Sequence, residues 1–89
     1  MSFGKNPHVA KAEAAEQKAE AAGDTIARVA AFREAAHQWE RAAAREQQPK
    51  RRTEYEANAE RNRAAADDAE SEETSRATPS AKAKPKTLN

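Results

Sequence analysis

The chain has 89 residues, and its 16 basic side chains nearly balance its 15 acidic ones, so net charge alone selects neither nucleic acid nor an acidic partner. It has no cysteine, which excludes disulfides, and no apolar run of signal-peptide or membrane-spanning length, so we expect a soluble cytoplasmic protein. Alanine supplies most of the hydrophobic residues, which predicts one small all-α domain with a marginally stable monomer that favours self-association or a partner.

The first predicted element is a helix that follows a flexible lead of residues 1–6. Asn6 is a suitable N-cap, and Pro7 suits the first helical position. After them, residues spaced alternately by four and three positions form a stripe along one face of the helix, which we call its seam: His8, Ala12, Ala15, Ala19 and Ala22. Such small side chains allow another helix to approach closely.

The seam loses its helical phase at Gly23, where two three-residue steps would have to follow each other. A Gly just after one helix and an Asp or Thr just before the next are typical of a turn between helices. Gly23 and Asp24 therefore predict a helical hairpin. The alternative is one long helix that continues through Gly23.

The stretch 24–48 is predicted to be the central helix, because it holds most of the large apolar side chains. Its apolar stripe consists of Val29, Phe32, Ala36, Trp39 and Ala43, widened by Ala31, Ala35 and Ala42. An arc this wide can contact two neighbouring helices. The large side chains on it, Val29, Phe32 and Trp39, are candidate anchors for an interaction, with Tyr55 of the next helix as a fourth.

A third helix is predicted from Pro49 to about Ala69, which completes an antiparallel three-helix domain over residues 7–69. One of its faces carries Tyr55, Ala59, Asn62, Ala66 and Ala69. An Asn in such a seam is expected to fix the alignment of the helices at a cost in stability. Residues 70–89 are small, polar and rich in lysine and proline, so we expect them to form a disordered, charge-segregated tail.

Several residues between 23 and 52 match a pattern known from helical families: Gly23-Asp24, Phe32, Glu34-Ala35, Trp39, Ala42, and Pro49 before Lys50-Arg51-Arg52. This stretch resembles the second helix and flanking turns of microtubule-interacting-and-trafficking (MIT) domains. It is also similar to the second helix of a tetratricopeptide unit. The resemblance covers most of residues 7–69. It implies an antiparallel, sheet-like three-helix bundle whose grooves bind short helical peptides.

No pattern in the sequence indicates catalysis, a cofactor or a metal. The two histidines, His8 and His37, fall in different predicted helices and lack a metal-binding motif. The acidic residues between Asp67 and Glu73 lack the spacing and central Gly of a calcium loop. We therefore expect a protein that is not an enzyme and has no small-molecule substrate.

Two functions are compatible with these patterns. The first is a non-enzymatic helical protein–protein interaction module, an adaptor or small subunit, that binds a partner helix or itself through the central helix. The alternative is a small nucleic-acid-associated protein. Its basic residues would be Lys50, Arg51, Arg52, Arg61, Arg63, Lys82, Lys84 and Lys86. The balanced charge and the lack of interleaved aromatic residues favour the first function.

Overall fold

The computed structural model describes the backbone of residues 6–77 and the side chains of residues 6–74. Within that range the chain forms three antiparallel helices and no strand: α1 (Pro7–Ala21), α2 (Thr25–Arg45) and α3 (Pro49–Ala77). The all-α class is therefore confirmed, and so is the hairpin at Gly23. Residues 1–5 of the predicted lead and residues 78–89 of the predicted tail lie outside the described residues.

Side-chain caps define where α1 and α2 begin. The Asn6 side chain accepts a hydrogen bond from the amide of His8 at 3.1 Å, and its Nδ2 donates to the carbonyl of Ala42 at 3.0 Å. Asn6 therefore joins the start of α1 to the end of α2. Asp24 caps α2 by accepting from the amide of Ala27 at 2.7 Å. These two polar side chains act where the sequence predicted them to act.

Gly23 lies in the turn between α1 and α2. Its φ is outside the left-handed region, and a Cβ at this position would meet nothing within 4 Å. The turn therefore does not depend on the conformational freedom of glycine. The start of α2 is marked instead by Asp24, which satisfies one of the free amides of the first turn, that of Ala27.

Helix α2 lies at the centre, because it contacts both α1 and α3 extensively. The three helices meet in one cluster of buried residues: Ala12, Ala15, Ala35, Trp39, Ala42 and Ala59, with Val9 and Tyr55 packed against it. Trp39 is the one large side chain buried there. The core is thus a single indole surrounded by alanines, whose small size allows the helices to pack closely.

Helix α3 is longer than predicted. Its backbone is helical to Ala77, so the proposed start of a disordered tail at Glu70 is placed too early. Ala69 is buried, and the carboxylate of Glu70 accepts a hydrogen bond from Arg33 of α2, so this part of the helix still has a surface to pack against. Glutamate and alanine are also strong helix formers. A helix packed through alanine does not need large apolar residues to continue.

Candidate interaction surface

Trp39 lies inside the monomer and not on its surface. Its side chain is only 4% exposed, and its ring centroid lies 5.4 Å from that of Tyr55 in a tilted arrangement. The indole Nε1 donates a hydrogen bond to Oε2 of Glu16 at 2.7 Å. Trp39 and Tyr55, two of the four predicted anchors, are therefore brought together as part of the core.

Glu16 joins all three helices through one carboxylate. Besides Trp39 of α2, its Oε2 accepts from Nδ2 of Asn62 on α3 at 2.8 Å, and Arg61 lies 4.0 Å away. Asn62 is 3% exposed and also donates to the carbonyl of Asn58. The Asn62 side chain therefore links α3 to α1, and its role in fixing the alignment of the helices stays a prediction. The role of Glu16 was not predicted. Its position one turn after Ala12 and one turn before Ala19 places it beside the buried face of α1, and this could have indicated an inward-facing carboxylate.

The environment of Tyr55 disfavours the charged form of its hydroxyl. Burial raises the pKa of Tyr55 above its ordinary value, the Glu46 carboxylate raises it further, and Arg51 acts in the opposite direction. Tyr55 therefore serves as an uncharged aromatic ring beside Trp39.

The other two predicted anchors, Val29 and Phe32, are only partly buried. Val29 lines a groove between α2 and α3, together with Ile26 and Arg33, and is not part of the Trp39 cluster. The structure thus divides the predicted set of anchors. Trp39 and Tyr55 stabilise the monomer, whereas Val29 lies at the edge of a surface.

Ile26 is the exposed hydrophobic residue that sequence reasoning missed. It is 74% exposed, the only large apolar side chain so exposed among the described residues. On a helical wheel it lies about 20° from the exposed His37 and outside the predicted apolar stripe. Ala27, the next residue, and Ala30, one turn further along, are exposed as well. We call Ile26, Ala27 and Ala30 the outer face of α2.

Two grooves flank the outer face, and Ala30 lines both of them. The groove towards α1 is lined by Lys11, Ala14, Ala15, Lys18, Ala27, Ala30, Ala31 and Glu34. The groove towards α3 is lined by Thr25, Ile26, Val29, Ala30, Arg33, Glu70, Glu73 and Thr74. The outer face is therefore a ridge between two open depressions. Such a surface can accept another helix.

The charges that α1 and α3 contribute beside the outer face differ in sign, and α2 adds Glu34 to the groove towards α1 and Arg33 to the groove towards α3. On α1 the groove is bordered by Lys11 and Lys18, and on α3 it is bordered by Glu70 and Glu73. Arg33 of α2 pairs with Glu70 and partly offsets its charge. The surface thus has a basic edge along α1 and an acidic edge along α3.

The predicted nucleic-acid residues within the described range are exposed, but three of the five have partners within the molecule. Arg63 pairs with Glu40 and Glu60, Arg61 donates to Asn58, and Arg52 donates to the carbonyl of Glu46. Their positive charge is therefore partly satisfied on the protein itself. The remaining two are Lys50 and Arg51; Lys82, Lys84 and Lys86 lie outside the described residues.

No helix in the described part of the chain is long and apolar enough to cross a membrane. Within that part, no three His, Asp or Glu side chains group as metal ligands would. Comparison of the chain with protein families, with curated proteins and with solved structures finds no match.

Proposed function

We propose that this protein is a non-enzymatic helical interaction module that binds another helical surface through the outer face of α2. The observation that carries the proposal is the exposure of Ile26 on a ridge between two grooves. Burying an isoleucine side chain contributes about 1.5–3 kcal/mol. The exposed alanines beside it would let a second helix approach to an axis distance of about 8–10 Å.

The arrangement of the core supports the same function. The polar side chains nearest the core, Glu16 and Asn62, are engaged by hydrogen bonds that connect the helices. Every buried side-chain nitrogen and oxygen in the described range has a hydrogen-bond partner. The polar groups of the interior are therefore accounted for by contacts within the monomer. The exposed Ile26 is not explained by the packing of the core.

The test is site-specific photo-crosslinking in cells of the source organism. A photoreactive residue in place of Ala30 should give an adduct with a helical segment, which mass spectrometry identifies as another protein or a second copy. The matched control places the same residue at Ala57, an exposed alanine on α3 that lines neither groove. Adding Ile26→Asp should abolish the adduct at position 30. Equal yields at both positions, or an adduct insensitive to Ile26→Asp, would contradict the proposal.

A further inference from the structure

The two edges of the outer face are complementary to each other in charge. The basic edge, Lys11 and Lys18, lies on α1 on one side of α2, and the acidic edge, Glu70 and Glu73, lies on α3 on the other side. Lys18 and Glu73 lie near the same end of α2, because Lys18 is in the last turn of α1 and Glu73 shares a groove with Ile26. A partner that fits this surface must place acidic side chains opposite the basic edge and basic side chains opposite the acidic edge.

Building on the function proposed above, we infer that the partner is a second copy of this chain, packed outer face against outer face with the two α2 helices parallel. A two-fold axis parallel to α2 places α1 of each copy over α3 of the other. It also preserves the position along the α2 axis, so Lys18 of one copy faces Glu73 of the second copy, and Lys11 faces Glu70, which pairs with Arg33. Every charged contact then occurs twice, as in an isologous dimer.

The geometry also selects against the alternative two-fold arrangement. An axis perpendicular to α2 would place α1 over α1 and α3 over α3, with the α2 helices antiparallel. Lysine would then face lysine, and glutamate would face glutamate, which disfavours association. At the centre of the parallel arrangement Ile26, Ala27 and Ala30 meet their own copies. The small residues permit a close approach of the two α2 helices.

Charge reversal of the full-length purified chain tests this arrangement by sedimentation equilibrium. We expect wild type to form a concentration-dependent dimer. One variant, Lys11→Glu with Lys18→Glu, has two acidic edges, and a second, Glu70→Lys with Glu73→Lys, has two basic edges. Each alone should dimerise at least about tenfold more weakly, since several charge pairs change at once. An equimolar mixture should recover the affinity of wild type, because opposite edges then face each other in both contacts.

A matched control reverses two exposed charges away from the outer face, Lys50→Glu with Arg51→Glu. It changes the net charge as much as the lysine variant does and should leave dimerisation unchanged. Circular dichroism establishes that every variant remains helical. Failure of the mixture to restore the dimer would overturn the parallel arrangement.

A wild-type chain that stays monomeric at every concentration would overturn the second copy as the partner. That outcome would leave the proposed function intact if position 30 still crosslinks to another protein in cells. The absence of any specific adduct at position 30 would remove the proposed function instead. The two failures are therefore distinguishable.

Discussion

Trp39 is the residue on which the monomer depends most. The side chains around it are alanines from all three helices, and Tyr55 covers one side of its ring. Alanine cannot move to refill space left by a missing indole. The cost of removing Trp39 should therefore lie near the upper end of what large-to-small substitutions cost.

We predict that Trp39→Ala lowers the free energy of unfolding by about 3–5 kcal/mol, measured by urea denaturation followed by circular dichroism. Phe32→Ala is the control, because Phe32 is only partly buried on the same helix and should cost less. A loss of this size is a large fraction of the stability of a typical domain, about 5–15 kcal/mol. If both variants had the same urea midpoint as wild type, Trp39 could not be buried as the structure shows.

Helical periodicity in the sequence predicts which residues face inward, but not which residues they contact. The wheel identified Trp39 and Asn62 as inward-facing, and both are buried. It could not reveal that both donate to Glu16, because that requires the relative alignment of α1, α2 and α3. It also gave no role to Ile26, since an isolated apolar residue outside the apolar stripe has no partner within its own helix.

At the scale of elements, the boundaries that rest on capping side chains agree with the sequence. Asp24 is the clearest example, because its carboxylate accepts from the amide of Ala27 and the preceding Gly23 adopts no special backbone conformation. The end of α3 was predicted from composition alone and lies further along the chain. Composition fails there because alanine packing and a pair such as Arg33–Glu70 can continue a helix without large apolar residues.

We predict that Asp24→Ala lowers the free energy of unfolding by about 1 kcal/mol by leaving an amide of α2 without its cap. Asp24→Asn retains a side-chain oxygen that can accept the same hydrogen bond and should be nearly neutral. Thermal denaturation of the three proteins at one concentration measures the difference. Identical melting temperatures for the Ala and Asn variants would show that the cap contributes nothing.

At the scale of the whole molecule, Glu16 adds a polar link between all three helices to the packing of α1 and α3 on α2. Helix α2 separates α1 from α3, and the carboxylate of Glu16 reaches Asn62 on the far helix. The same oxygen also holds Trp39. Loss of this acceptor should loosen the attachment of α1 to the rest of the domain.

We predict that Glu16→Ala lowers stability by about 1–3 kcal/mol, because buried donors on Trp39 and Asn62 lose their acceptor. Hydrogen exchange of the indole N–H should accelerate in parallel, and it is easily followed because the chain has one tryptophan. Glu16→Gln keeps an acceptor oxygen and should lie between Glu16→Ala and wild type. Unchanged indole exchange in Glu16→Ala would contradict a structural role for this hydrogen bond.

Because the core is built from alanine, the substitutions that harm it differ from those that harm most cores. In most domains the dangerous substitutions at buried sites are those that remove volume. Here Ala12, Ala19, Ala35, Ala42 and Ala66 are fully buried, and almost any other side chain would be too large for the space between the helices. Natural selection on this chain should therefore exclude larger side chains at these buried alanine positions. Exposed positions outside the outer face and its two charged edges carry no such limit on size.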